Sequence, residues 1–217
     1  MEDNYRQRGL RQKLVNHLRK QGILDENILS AFNRVPRHWF LDSAFLEHSY
    51  EDRPFPIGSG QTISQPYTVA FQTDLLEPRK GDKILEIGTG SGYQACILCE
   101  LGAEVFSVER QKKLYLKTKR FLEKNFDYPA LHLFYGDGYK GLPQYAPFDG
   151  IIITAGAPEI PQTLIAQLKP SGKMIIPHGK GDLQVMKRIV KNEDGTLSID
   201  DFGFFRFVPM LKDTGDD

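Results

Sequence analysis

The chain is 217 residues long with a mass of 24.7 kDa, enough for one well-buried core and too short for two independent domains. Its 28 basic side chains balance 28 acidic ones, and 40% of residues are hydrophobic and 26% charged, so it lacks the basic excess that duplex nucleic acid requires of a partner. The opening Met1-Glu2-Asp3-Asn4-Tyr5-Arg6 has no apolar signal-peptide core and no run approaches the roughly 20 apolar residues of a membrane span, so a cytoplasmic monomer with no membrane partner is expected.

From Tyr5 to about Gln21, Leu10, Leu14, His17 and Leu18 recur at helical spacing, and Gly22 follows as a C-terminal stop. Asp25 is placed to cap a second helix carrying Ile28, Leu29 and Phe32. Pro36 ends it near Val35, because a residue before proline avoids the helical conformation. In the aromatic stretch Arg37-His38-Trp39-Phe40, His38 and Trp39 are read as anchors for these helices. Residues 50–66 are dense in Pro, Gly, Ser and Thr and predict an irregular loop, and so long a loop in a compact chain is more often functional than connective. A helix over Tyr67 to Leu76 and a turn over Pro78 to Asp82 come next.

Beyond residue 82 strand and helix patterns alternate. Ile84-Leu85-Glu86-Ile87 precedes a helix over Tyr93 to Leu101, and Val105-Phe106-Ser107-Val108 precedes one over Gln111 to Asn125. Leu131 to Phe134 and Gly150 to Thr154 are further strands; a helix near Pro161 to Leu168 leads to a strand at Lys173 to Pro177. This rhythm predicts an α/β fold, a doubly wound, mostly parallel sheet with N-terminal helices and a late antiparallel strand pair near Leu183 to Lys191 and Phe202 to Val208. Asn192-Glu193-Asp194-Gly195 reads as the hairpin turn between that pair. Most aromatics of the last strand are expected in the core, and the tail, 211–217, is expected to be disordered. Cys96 and Cys99, the only cysteines, lie within one predicted helix and are read as packing residues, with no further cysteine for a zinc site and no His/Asp spacing for another metal.

In an open parallel sheet, ligands bind beyond the carboxyl ends of the strands. The turn Gly88-Thr89-Gly90-Ser91-Gly92 lies there, after the first of these strands. So does Glu109, 21 positions after Gly88, where a carboxylate can accept hydrogen bonds from a ribose diol. Asp137, in Gly136-Asp137-Gly138, ends the third strand and is placed to meet an adenine amino group. A dinucleotide fingerprint would need a small third residue where this chain has Tyr93, which argues against a nicotinamide dehydrogenase.

The spacing Glu86-x-Gly88-x-Gly90-x-Gly92 resembles instead the cofactor motif of class I S-adenosylmethionine-dependent methyltransferases. More narrowly, Pro56-Ile57-Gly58-x-Gly60-Gln61-Thr62-Ile63-Ser64-Gln65-Pro66 is similar to the signature loop of the protein-L-isoaspartate O-methyltransferases. Pro36-Arg37-His38, Val108-Glu109-Arg110, Gly136-Asp137-Gly138, Thr154-Ala155-Gly156-Ala157-Pro158 and Phe207-Val208-Pro209 extend that resemblance from about residue 36 to 209. Ser59 stands where the family more often has histidine, and Gly156 where alanine is commoner; neither position carries the chemistry.

The resemblance implies a Rossmann-like methyltransferase fold in one domain over 1–217. Residues 1–80 would form the helical and substrate-loop region, 81–210 the cofactor-binding core. It also implies S-adenosyl-L-methionine as methyl donor, with S-adenosyl-L-homocysteine as product, and isoaspartyl-containing proteins and peptides as substrates, methylated on the free α-carboxylate in protein repair. Ser64 becomes the active-site serine, Ile63 and Ser64 border the methionine end of the cofactor, and Glu86, Gly88, Gly90, Glu109, Asp137 and Gly138 complete the cofactor set. Thr62, Ser64 and the Val208 main chain are placed along the substrate.

The residues agree with such chemistry. A carboxylate, with a reference pKa of about 4, is already ionised near neutrality, so the loop needs small hydroxyls that orient it, not a strong base. An amino-methyltransferase would be expected to carry an Asn/Asp-Pro-Pro-aromatic segment where this chain has Thr154-Ala155-Gly156-Ala157. A cofactor-binding sensor without catalysis would have no need of the Thr62-Ile63-Ser64 loop.

Overall fold

A computed structural model describes residues 3–215. Helix α1, Tyr5–Lys20, starts where the Asn4 side chain accepts the Gln7 N–H, and α2, Glu26–Arg34, starts where the Asp25 carboxylate accepts the N–H groups of Asn27 and Ile28. Their apolar faces meet through Leu14, Leu18, Ile28 and Phe32, all buried. A 3-10 turn over Arg37–Phe40 then buries Arg37, His38 and Phe40. His38 Nδ1 lies 2.7 Å from the Tyr50 hydroxyl, to which Arg11 of α1 donates at 3.3 Å, so His38 is tied to the N-terminal helices as the sequence predicts, while Trp39 packs on Phe126.

Residues 50–66 are more ordered than expected. β1, Phe55–Gly58, and β2, Gln61–Ile63, form an antiparallel hairpin separate from the main sheet. Its tip has three successive residues in the left-handed region, Gly58, Ser59 and Gly60, at φ of 97°, 51° and 65°. Two glycines make that reversal inexpensive, and reading the stretch as loop chemistry alone missed the short strands on either side. Helix α3, Pro66–Leu76, follows, with proline in its first turn.

The main sheet has seven strands: β3 (Lys83–Ile87), β4 (Glu104–Glu109), β5 (Leu131–Tyr135), β6 (Phe148–Ile153), β7 (Leu168–His178), β8 (Gln184–Lys191) and β9 (Leu197–Phe205). Their order is β5-β4-β3-β6-β7-β8-β9, parallel up to β7 and antiparallel for the last two. Helices α4 (Tyr93–Glu100), α5 (Lys112–Asn125) and α6 (Gln162–Ala166) supply crossovers. β3 and β6 are buried almost throughout, as apolar strands covered on both faces must be. Cys96 and Cys99 face this packing; burial raises the Cys96 thiol well above its ordinary range and the Cys99 thiol to about 12, leaving both protonated and inert.

Three expectations change in the second half. α6 is five residues long, because the chain extends again at Leu168 to begin β7. β9 ends at Phe205, so Val208 lies beyond the sheet, where its carbonyl accepts the Gly156 N–H at 2.8 Å. Gly203, at φ 82°, and a register shift opposite Val185 and Lys187 break the strand alternation. Most aromatics of this stretch pack on the core as expected, with Phe202, Phe205 and Phe207 half-buried and Phe205 stacked on Phe71, while Phe204 is 72% exposed. The segment 211–215 is also ordered: Gly215 pairs with Arg110 and Lys112, and the Arg110 guanidinium donates to the Asp213 carbonyl at 2.9 Å. Of the tail expected to be disordered, residues 216 and 217 lie outside the described residues.

Candidate active site

At the carboxyl ends of β3, β4 and β6 the glycine turn, the hairpin and the segment after β9 enclose one cavity. Gly88, Gly90 and Gly92 all have positive φ, at 100°, 53° and 85°. A Cβ on Gly88 would overlap the Thr154 hydroxyl, and one on Gly92 would lie 2.7 Å from Leu122. Two of the three glycines are thus demanded by neighbouring protein atoms as well as by backbone conformation. Close packing holds the turn's N–H groups and carbonyls at the cavity wall.

Glu109 is 4% exposed and forms the adjoining wall; its Oε2 accepts the Gly90 N–H and its Oε1 the Gln111 N–H, each at 2.9 Å. One carboxylate ties the turn to the end of β4, and each oxygen retains a second lone pair for a ligand hydroxyl. Ile63, Ser64, Gly88, Gly90, Glu109 and Gly138 of the expected cofactor set line this cavity together, and so do Thr62 and Val208.

Glu86 and Asp137 do not line it. Glu86 lies inside the sheet, with no exposure, where Ser107 of the neighbouring strand donates to its Oε2, and Ser107 Oγ is 2.6 Å from Thr89 Oγ1. Parallel register pairs Glu86 with Ser107, so the acid of the motif braces the turn from beneath. Asp137 uses Oδ1 to accept the Tyr139 N–H at 2.9 Å, closing its own turn.

Burial pushes the Glu86 carboxyl up to about 8; the Ser107 hydrogen bond opposes the rise and the charge of Glu109 adds to it. Between the ordinary value of 4.5 and about 8, the unfolded chain loses this proton while the folded one keeps it, so stability falls as pH rises through that window. Glu86→Gln, neutral at every pH, is expected to gain stability relative to the parent from pH 5 to pH 8. The gain should reach a few kcal/mol, since each tenfold difference in proton affinity between the folded and unfolded chain is worth about 1.4 kcal/mol. Urea denaturation of ligand-free protein at both pH values checks this; the same difference at both would show that Glu86 ionises normally.

Sequence reasoning missed four participants. Gln111 lines the cavity and donates from Nε2 to the Ser59 carbonyl at the hairpin tip, at 3.0 Å. Thr154 donates to the Gly88 carbonyl at 2.8 Å, and Met210 and Leu211 close the cavity from the segment after β9. Gln111, two positions beyond Glu109, was within reach of the strand-end rule. Met210 and Leu211 carry no such signal, because only the docking of residues 208–210 on Gly156 brings them near.

A second cleft adjoins the first. Thr62, Ser64, Thr154 and Val208 line both, and Tyr67, Leu183, Phe204 and Arg206 line the second alone. Among the described residues no helix is long and apolar enough to cross a membrane, and no group of three or more His, Cys, Asp or Glu could hold a metal ion.

A parallel sheet of this order, with a glycine turn after its central strand and a carboxylate ending the next, defines the Rossmann-like class of S-adenosylmethionine-dependent methyltransferases. Within that class, the family model for protein-L-isoaspartate(D-aspartate) O-methyltransferase matches residues 9–215, and the chain belongs to this family. It is 54% identical over 213 residues to the protein-L-isoaspartate O-methyltransferase of Christiangramia forsetii, spanning 98% of this chain and 99% of that one. A solved protein-L-isoaspartate O-methyltransferase superposes with a TM-score of 0.83 at 32% identity, over 94% of this chain and 67% of that one. A Plasmodium falciparum chain described as a beta-aspartate methyltransferase, in complex with S-adenosyl-L-homocysteine, shares the fold with a TM-score of 0.80 at 24% identity, over 93% of this chain and 98% of that one.

Proposed function

We propose that this chain, folded as a single domain, transfers the methyl group of S-adenosylmethionine to the free α-carboxylate of L-isoaspartyl residues in damaged proteins and peptides, giving a methyl ester. The observation that carries this reading is the junction of the two cavities: Thr62, Ser64 and Val208 belong to both, so an acceptor in the second cleft meets the cofactor cavity beside two hydroxyl residues and a main chain.

The cofactor cavity fits its ligand. Glu109 offers acceptors for a ribose diol, the glycine turn presents main chain, and Ile63 and Ser64 border the methionine end. Gly138 borders the adenine side, and Asp137, one position earlier, is assigned the adenine amino group through Oδ2, since Oδ1 already serves Tyr139. Glu86 acts on the cofactor only through the turn it braces. Bound there, S-adenosylmethionine supplies a methyl group already activated by a sulfonium sulfur.

What remains for the protein is placement and exclusion of water. Thr62 and Ser64 donate to the acceptor carboxylate and fix its direction without neutralising it, and Val208 lines the peptide with its main chain. Arg206 is the only charged residue lining the second cleft among those described, so no side-chain base stands there, and an ionised carboxylate needs none. The main chain at Val208 suits an extended polypeptide. We place the protein in the cytoplasm, as a monomer acting on polypeptides and on neither nucleic acid nor membranes.

The test supplies labelled S-adenosylmethionine with two peptides that differ only in isoaspartate or aspartate at one site. Base-labile label on the isoaspartyl peptide alone is expected. Equal labelling of both, or of neither, would sink the reading.

A further inference from the structure

The loop that carries Ser64 is held at two points by the N-terminal part of the chain. One is Arg37, which has no solvent exposure. Its Nη2 donates to the Ser64 carbonyl at 2.8 Å and to the Arg53 carbonyl at 3.4 Å, and its Nε donates to the Ser49 carbonyl at 3.1 Å. The guanidinium also lies 5.0 Å from the centre of the Tyr93 ring, at the first residue after the glycine turn. The other is Asp52, whose Oδ1 accepts the Tyr67 N–H at 2.8 Å and whose Oδ2 accepts from Gln65 Nε2 at 3.1 Å and lies 3.4 Å from His17 Nε2 of α1. Ser64 to Tyr67 therefore leaves the hairpin and enters α3 with a hydrogen bond to Arg37 at its start and two to Asp52 after it.

Removing a guanidinium wholly from water is costly, and simple packing of helices would not require one. What arginine alone offers is a rigid planar fork that can hold several carbonyls in fixed relation. One of those carbonyls belongs to Ser64, which lines both cavities. Asp52, the acid whose charge reaches Arg37, directs its oxygens to the loop.

We propose that Arg37 and Asp52 are positioning residues, a two-point clamp that sets Ser64 relative to the cofactor cavity. The proposal rests on the reading of Ser64 as the group that orients the acceptor. In-line transfer is sensitive to such placement, since a drift of about 1 Å costs on the order of 100-fold in rate.

The test uses the full chain with Arg37→Lys and, separately, Asp52→Ala. Turnover of the isoaspartyl peptide is expected to fall about 10- to 100-fold, while affinity for S-adenosyl-L-homocysteine by calorimetry stays within about threefold. Hydrogen exchange of the 62–67 amides should quicken about tenfold or more, with the 88–92 turn unchanged. Loss of S-adenosyl-L-homocysteine affinity in parallel with turnover would overturn the clamp, as would full turnover despite a loosened loop. If Arg37→Lys does not fold, Asp52→Ala decides, because its side chain is only partly buried, at 12% exposure. If neither folds, the two residues are merely structural and the proposal fails. Should the parent chain label no isoaspartyl peptide, the reading of Ser64 falls on its own, and hydrogen exchange still reports whether the clamp holds the loop.

Discussion

Glu109→Ala is expected to weaken S-adenosylmethionine binding by about 100-fold or more, the largest single effect at this site. Glu109 lines the cavity and also accepts the N–H groups of Gly90 and Gln111, so on the proposed reading its removal takes away the ribose partner and leaves two donors unanswered. Hydrogen bonds to an ionised group are worth about 1.5–3 kcal/mol each, and two of them to a ribose account for the whole factor. Glu109→Gln keeps one acceptor oxygen and should fall between the two. Calorimetric titration with S-adenosyl-L-homocysteine measures this; affinity within a few-fold of the parent would remove Glu109 from the ribose position.

Ser64→Ala should leave that affinity nearly intact and reduce turnover of an isoaspartyl peptide about 10- to 100-fold. Ser64 lines both cavities, so on the proposed reading the interaction it supplies is with the acceptor carboxylate, and one hydrogen bond to a charged group sets the scale. Thr62 lines the same junction and limits the loss, which makes Thr62→Val with Ser64→Ala the informative pair: the double variant should lose more than either alone. The separation of turnover from cofactor affinity is the decisive readout, because a hydroxyl that only shaped the proline-bounded loop would change both or neither.

Much of this architecture could be read from the residues. The apolar strand runs 84–87 and 150–154 announced a doubly buried parallel sheet, since polar alternation is impossible when both faces are covered. Glycines spaced around a strand end, with an acid at the end of the next strand, located the cofactor cavity, because parallel strands bring their carboxyl ends to one side. Harder to read was anything set by contacts between distant segments. Glu86 looked like a cofactor residue from its place in the motif, yet strand register turns it inward onto Ser107. Most of the aromatic run 202–207 packs on the core as its composition suggests, but Phe204 is exposed, on an edge strand with a break at Gly203.

The chain's own order of residues thus determined the class of sheet, the position of the glycine turn, the carboxylate at the end of the next strand and the hydroxyl loop ahead of them. These depend on local conformation and on periodicity, which short stretches encode. Tertiary structure alone decided that the hairpin closes over the turn through Gln111, that Val208 to Met210 dock on Gly156 to complete the cavity, and that Arg37 reaches the Ser64 carbonyl. Each of those contacts joins residues more than 25 positions apart, and long-range contacts form only when the whole core closes around them.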